Sequence, residues 1–384
     1  MHMEKIIIPE QMLPSDGRFG SGPSKIRSKQ IDVLCAAGRS LMGTSHRQQP
    51  VKNLVASIKS GLSQLFELPE GYEIALGNGG ATAFWDIACA CLINRKAAFG
   101  VYGSFSKKFA SSAQSAPFLD EPAIYSAEPG SYCLPEPTEE ADAYCWAHNE
   151  TSTGVMTPVK RIEGVDEDAL MLIDATSAAG AAKVDIEQTD AYYFSPQKAF
   201  GSDGGLWIAV LSPRAIARAK AIESTADLPG ARRWVPPFLS LTAAVENSRK
   251  NQTLNTPAIA TLILMDEQIK QLNANGGLKA SAARCAQSAQ TVYDWAENCS
   301  YAQPFVQDKA ARSTVVVTVD IDDSISANAI LSVLRDNGIV DISGYRKLGR
   351  NQLRVGVFPS VEPDDVKALT NCIDYAVEKI KAAN

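Results

Sequence analysis

From about residue 54 to residue 211 the chain alternates amphipathic helical stretches with short β-rich runs, and this rhythm limits the folds open to it. The runs at 72–76, 97–102, 143–147, 170–173, 191–194 and 206–211 are expected strands. Several are continuously apolar, as strands covered on both faces are. Helical patterns at 82–92 and 104–113 lie between them, so the expected class is α/β, with a largely parallel sheet between helices. A long helix is expected to open at Pro257, run through Asn273 and stop at Asn275-Gly276-Gly277. After a further helix at 280–297 the rhythm changes. Strands at 314–319 and 353–358 and helices at 327–337 and 364–381 read as a smaller α+β unit. A chain of 384 residues is long enough for both.

Bulk properties narrow the function classes. Hydrophobic content of 45% is that of an ordinary soluble globular protein, and a net charge of −6 offers no global attraction to nucleic acid or anionic membrane. The eight cysteines form no CxxC pair and no Cys/His spacing suited to zinc. They read as small buried apolar residues of a reducing compartment, with Cys285 and Cys299 in helical patterns. No metal site is expected. The apolar run from Ile6 to Ile8 is cut off by Pro9, too short for a signal peptide, and no stretch approaches the roughly 20 apolar residues of a membrane span. A cytoplasmic protein is expected.

In a sheet of this kind, functional residues belong in loops after the strands, where helix N-termini face a crevice. Gly77-Asn78-Gly79-Gly80-Ala81-Thr82 joins a strand to a helix. It reads either as a tight turn or as an anion cradle, with backbone N–H groups and a helix N-terminus at its centre. Asp174 ends an apolar strand in Ile173-Asp174-Ala175-Thr176-Ser177. It reads as a helix cap, a metal-site acid, or a carboxylate that bonds a protonated pyridine nitrogen. Lys198, in Ser195-Pro196-Gln197-Lys198-Ala199-Phe200-Gly201, follows another apolar strand. Partial burial there lowers a lysine's pKa and makes it an amine nucleophile and general base. Lys198 follows Asp174 by 24 residues, the length of one helix-bearing crossover plus a strand, which brings both to one sheet edge. Two basic clusters complete the set. His46 and Arg47 adjoin in Gly43-Thr44-Ser45-His46-Arg47-Gln48, and Arg346 and Arg354 flank a basic loop. Each reads as solvated surface or as an anion anchor.

Taken together with Gly22-Pro23-Ser24, His148-Asn149-Glu150-Thr151-Ser152-Thr153-Gly154, Asn255-Thr256-Pro257 and Gly349-Arg350-Asn351-Gln352-Leu353-Arg354, these stretches resemble the class V aminotransferases, in their actinobacterial-type subgroup. The match runs from near residue 20 into the C-terminal unit. The resemblance implies a fold-type I homodimer with a large pyridoxal-phosphate domain (26–275) and a small domain made from both chain ends (1–25 and 276–384). It implies pyridoxal 5'-phosphate in a covalent Schiff base on Lys198, with Asp174 on the pyridine nitrogen. Gly80, Ala81, Thr82 and Gln197 are implied at the phosphate, Thr151 at the phenolic oxygen, and Phe105 stacked on the ring. Asn255 and Thr256 are implied to reach the cofactor of a partner subunit. His46, Arg47 and Arg346 are implied to take a substrate's distal anion, and Arg354 its α-carboxylate.

The implied reaction is ping-pong amino transfer from L-glutamate to 3-phosphohydroxypyruvate, giving O-phospho-L-serine and 2-oxoglutarate, in L-serine biosynthesis and also in pyridoxine biosynthesis. Two features depart from the pattern: Phe105 stands where many relatives carry tryptophan, and Tyr345-Arg346 where many carry His-Arg. An alanine–glyoxylate type transaminase, a cysteine desulfurase and a non-catalytic cofactor-binding sensor are the alternatives. The desulfurase requires a reactive cysteine on a mobile loop, and the 346–354 loop has none.

Overall fold

The structure is a computed structural model that describes residues 5–226, 228 and 233–383. Twelve strands follow in chain order: β1 (Glu73–Gly79), β2 (Ala97–Val101), β3 (Ala123–Ser126), β4 (Ala143–Ala147), β5 (Asn149–Glu150), β6 (Val155–Met156), β7 (Leu170–Asp174), β8 (Ala191–Phe194), β9 (Gly205–Leu211), β10 (Ala302–Pro304), β11 (Val316–Ile321) and β12 (Gln352–Gly356). Seven form one sheet in the order β1-β9-β8-β7-β4-β2-β3. Pairing is parallel from β8 through β3, and only β9 runs against its neighbours β1 and β8. Every residue of β4, β7 and β8 is buried, which explains their unbroken apolar runs.

The helices are α1 (Ser28–Leu41), α2 (Gln49–Leu65), α3 (Ala81–Cys91), α4 (Ser104–Ser115), α5 (Pro213–Ala226), α6 (Leu241–Arg249), α7 (Ile259–Ala274), α8 (Gly277–Asn298), α9 (Ala327–Asp336) and α10 (Pro363–Ala383). They cover both faces of the sheet. On one, Val51, Leu54, Val55, Ile58, Leu62 and Leu65 of α2 recur at helical spacing and join the core with Leu262, Met265 and Ile269 of α7. On the other, α3 packs with α4 and α5, and Phe84 stacks on Tyr193 of β8 at 4.4 Å between ring centres. A third core gathers Ile8 and Phe19 with β11, β12, α9 and α10. The chain start is tied there by backbone bonds: Gly356 donates to Phe19 at 2.8 Å and Val340 to Gly17 at 2.8 Å.

Three local expectations are corrected. The connection from β7 to β8 holds turns and one 3-10 turn (Ile186–Gln188) and no α-helix, yet β7 and β8 pair side by side, so Asp174 and Lys198 still share an edge. Gly77, Asn78 and Gly79 are not a turn; they extend β1 against Trp207, Leu206 and Gly205. A side chain on Gly77 would meet the Trp207 ring at 2.6 Å, so the glycine there makes room for an aromatic ring. The helix expected to open at Pro257 starts at Ile259, though it does stop at Asn275 as expected, and α8 begins at Gly277 rather than near residue 280. Among the described residues, no helix is long and apolar enough to cross a membrane, and no group of acidic, histidine or cysteine side chains is placed to hold a metal ion.

Candidate active site

The C-terminal ends of β1, β2, β4, β7 and β8 open onto one cavity of about 310 Å³, at the small end of the roughly 300–1,000 Å³ typical of ligand pockets. Eight of the residues singled out in the sequence line it: Gly80, Ala81, Thr82, Phe105, Thr151, Asp174, Gln197 and Lys198.

Lys198 lies just beyond β8 and is only 8% exposed. Burial pushes its amine down to about 7, and the positive charge of Arg354 adds to the effect against the opposing pull of Asp174 and Glu150. Its Nζ donates to the Ser21 carbonyl at 2.5 Å. The N-terminal segment therefore closes directly over the lysine, and Gly22 makes this closeness feasible. Gly22 has φ +146°, and a Cβ there would sit 1.8 Å from Nζ. Gly22→Ala is expected to destabilise the fold by about 1–3 kcal/mol and to weaken cofactor binding at least tenfold. Denaturant unfolding and visible absorbance test this, and a variant that loads cofactor like wild type contradicts it.

Asp174 ends β7 with its carboxylate facing the cavity. Oδ2 accepts from the Trp85 indole at 2.9 Å, and Oδ1 accepts from the Thr176 backbone N–H at 2.9 Å. Burial raises its pKa, against the lowering effect of those donors. A cation bound opposite would reverse that shift.

Phe105 forms a wall because its helix is anchored from below. Glu150 is fully buried, and its carboxylate accepts from the N–H groups of Phe105 (3.1 Å) and Ser106 (2.9 Å) at the start of α4. The same carboxylate accepts from Ser152 Oγ at 2.6 Å. A carboxylate at a helix N-terminus is favoured by both its free donors and its dipole. Beside it, Thr151 Oγ1 and Asn149 Nδ2 both donate to Ser177 Oγ at 2.9 Å.

The basic residues divide. Arg354, in β12, is half-buried and donates from Nη1 to the Thr151 carbonyl at 3.1 Å. Its guanidinium lies over the Tyr345 ring at 5.3 Å, and that ring is 6.0 Å from Phe105. Arg346 is exposed in a 3-10 turn (Arg346–Leu348). Arg346 and Arg354 line a neighbouring hollow of about 460 Å³ that shares Gly22 and Pro23 with the cavity. His46, Arg47, Asn255 and Thr256 do not line the cavity of their own chain. His46 Nδ1 instead meets Thr256 Oγ1 at 3.2 Å, and Asn78 Nδ2 donates to the Thr256 carbonyl at 2.9 Å. Arg47, Asn255 and Thr256 are exposed.

Sequence reasoning assigned no role to Glu150, Trp85, Ser177, Ser21 or Ser195, whose Oγ accepts from Ala81 N–H at 2.7 Å. Glu150, Ser177 and Ser195 carried a signal, each inside a polar motif already singled out. Trp85 and Ser21 are joined to the site by long-range packing. The cysteines also need correction: Cys35 is exposed and Cys133 and Cys299 are half-buried, where all eight were expected to be buried. Cys285 is buried in α8 with its thiol pushed up to about 12, but Cys299 lies just past the end of that helix. No cysteine lines the cavity.

The donor set fits a phosphorylated pyridine aldehyde. A neutralisable amine faces a buried carboxylate, a helix N-terminus and an aromatic wall. Buried polar atoms of Asn149 (Oδ1), Thr176 (Oγ1), Gln197 (Oε1) and Arg354 (Nε) have no protein partner among the described residues. Such atoms are costly unless a ligand or water meets them.

Comparisons with known proteins agree with this geometry. The family model for class-V aminotransferases matches residues 137–368, and the chain belongs to that family of pyridoxal-phosphate-dependent enzymes. A phosphoserine aminotransferase of Rhodococcus opacus is 54% identical over 376 residues, covering 97% of this chain and 98% of the relative. The crystal structure of a phosphoserine aminotransferase from Cytophaga hutchinsonii superposes with a TM-score of 0.84 at 24% identity, over 94% of this chain and 99% of that one. A pyridoxamine-pyruvate aminotransferase from Mesorhizobium loti has the same fold, with a TM-score of 0.80 at 20% identity over 98% of this chain and 95% of that one. The fold is that of fold-type I pyridoxal-phosphate transferases, and it does not by itself select a substrate.

Proposed function

We propose that this chain transfers the amino group of L-glutamate to 3-phosphohydroxypyruvate, giving O-phospho-L-serine and 2-oxoglutarate in L-serine biosynthesis. The same activity would serve pyridoxine biosynthesis. The observation that carries the reaction class is the convergence of a lysine whose amine is pushed down to about 7 with buried Asp174 in one cavity, beside Arg354. The substrate is supported by the names of relatives more than half identical across nearly the whole chain.

When bound, pyridoxal phosphate supplies an electron sink and stores the amino group between two ping-pong half-reactions. Lys198 would hold the group through Nζ, and once the substrate's amino group displaces it, the freed Nζ amine would take the proton from the substrate's Cα and hold it for return. The depressed pKa lets the amine act as a base near neutral pH. Asp174 pairs with the pyridine nitrogen and keeps it protonated. Gly80, Ala81, Thr82 and Gln197 receive the phosphate, Thr151 the phenolic oxygen, and Phe105 the ring face. Arg354 clamps the α-carboxylate, with its Nε free of protein partners for that purpose.

His46, Arg47 and Arg346 receive the distal group, a carboxylate in one half-reaction and a phosphate in the other. Because His46, Arg47, Asn255 and Thr256 sit outside their own cavity, the reading requires a homodimer in which these residues serve the partner's site. The large domain then comprises 26–275, and the small one 1–25 with 276–384. The reading also makes the protein cytoplasmic.

Titration of purified holoenzyme with O-phospho-L-serine and with L-serine is the deciding measurement. Bleaching of the cofactor absorbance is expected at concentrations at least a hundredfold lower for the phosphorylated form. Turnover of alanine with glyoxylate, without a response to phosphoserine, would sink the substrate assignment.

A further inference from the structure

The start of α3 and the carboxylate of Asp174 are held together by one side chain. Trp85 lies one helical turn beyond Ala81 and Thr82, and its indole Nε1 donates to Asp174 Oδ2 at 2.9 Å. The indole is 4% exposed and stacks near-parallel to Phe109, with ring centres 6.3 Å apart and planes inclined by 18°. On its outer side is a hollow of about 850 Å³, lined in part by Phe118, Trp234 and Leu239. Close packing therefore does not enclose the indole completely, and the bond to Asp174 fixes the direction of its edge.

The helix start is tied to the lysine loop as well, through Ala81 N–H on Ser195 Oγ at 2.7 Å. Two anchors thus meet on α3: the loop that carries Lys198, at its N-terminal turn, and the carboxylate at the end of β7, at Trp85. We infer that Trp85 is a positioning residue for the cofactor: through its indole N–H it holds the Asp174 carboxylate in the orientation that receives the pyridine nitrogen, and α3 thereby sets the span between that carboxylate and the phosphate turn.

The physical argument is one of lone pairs and rotation. Asp174 Oδ1 is held by the Thr176 N–H and Oδ2 by the indole. Two donors, one on each oxygen, fix both χ angles of the side chain and leave further lone pairs for a cavity cation. Without the indole, the carboxylate keeps one donor and can turn about its Cβ–Cγ bond. It then loses part of its charge-assisted bond to the ring nitrogen.

The inference rests on the cofactor reading above, so its test separates the two. Trp85→Phe, Asp174→Asn and the double variant are prepared as apoproteins of the full chain. Equilibrium affinity is measured for pyridoxal 5'-phosphate and for its 1-deaza analogue, in which a C–H replaces the ring nitrogen. Trp85→Phe is expected to weaken pyridoxal phosphate binding about tenfold and to change affinity for the deaza analogue less than twofold. It is expected to add less than twofold to the loss already present in Asp174→Asn.

Trp85→His retains a ring N–H donor and is expected to recover part of the preference for the nitrogen-containing ring. It serves as the test where the phenylalanine variant does not fold. Equal weakening of both compounds by Trp85→Phe, or full multiplication of its loss with that of Asp174→Asn, overturns the inference and leaves a plain cavity wall. A wild-type chain with no affinity for pyridoxal phosphate overturns the cofactor reading, and this inference with it.

Discussion

Replacing Lys198 with alanine is expected to lower turnover about 10⁴-fold, the upper range for loss of a positioned acid–base group, while substrate still binds. Under the proposed function the lysine would carry two duties that no neighbour can assume: covalent attachment of the cofactor and proton transfer at the substrate's Cα. No other lysine lines the cavity. Stopped-flow absorbance and steady-state turnover measure both duties, and an alanine variant within tenfold of wild type refutes the assignment.

The same residue carries a pH signature. Because the buried amine is pushed down to about 7, capture of cofactor by the apoprotein should quicken with pH below 7 and level off above it. An unperturbed lysine would keep accelerating toward pH 10. The sign for stability follows from the same shift. Between the folded value of about 7 and the ordinary 10.5, the unfolded chain binds the extra proton. This group therefore makes the apoprotein more stable as pH rises through that window, and Lys198→Met should remove that component.

Asp174→Ala is the second large effect. A fall in kcat of about 10²–10³-fold is expected, comparable to loss of one preorganised electrostatic contact in other active sites, with a much smaller change in KM. The split follows from where the carboxylate acts. Under the proposed function it would meet the ring nitrogen end of the site and not the region of Arg354, so ground-state capture of substrate by Arg354 would survive its removal. A variant whose KM rises while kcat stays within threefold would place Asp174 in substrate binding instead.

Much of this architecture is legible from residue order because burial leaves a mark on sequence. The runs at 143–147 and 191–194 are apolar without alternation since both faces of β4 and β8 are covered, and the structure reproduces their ends. The β7 to β8 connection shows where such reading stops. Its length matches a helical crossover, but Ala175, Ala178 and Ala179 form tight turns under the cavity instead. Likewise the glycines at 77 and 79 read as a loop because glycine is the usual residue of turns. At Gly77 the actual reason is the Trp207 ring, contributed by a strand more than a hundred residues away, and at Gly79 it is a φ of +128° with Ala83 Cβ 2.7 Å from where a Cβ would stand.

The same division runs through the site. Lys198 and Asp174 announce themselves by type and by position after apolar strands. Glu150 and Trp85 do not, since the helix starts and carboxylates they meet are distant along the chain.

By itself, then, the sequence determined the α/β class, the family, and the candidate lysine and carboxylate that the structure brings to one cavity. These follow from local apolar patterning and from motifs whose chemistry is carried by single residues. Only the tertiary structure decided that Gly22 must yield its side chain to Lys198, that Glu150 accepts from the Phe105 N–H, and that the Trp85 indole donates to Asp174. Each of those depends on a hydrogen-bond direction or a contact distance between segments far apart in the chain. Such quantities exist only once the sheet has brought its strand ends to one edge.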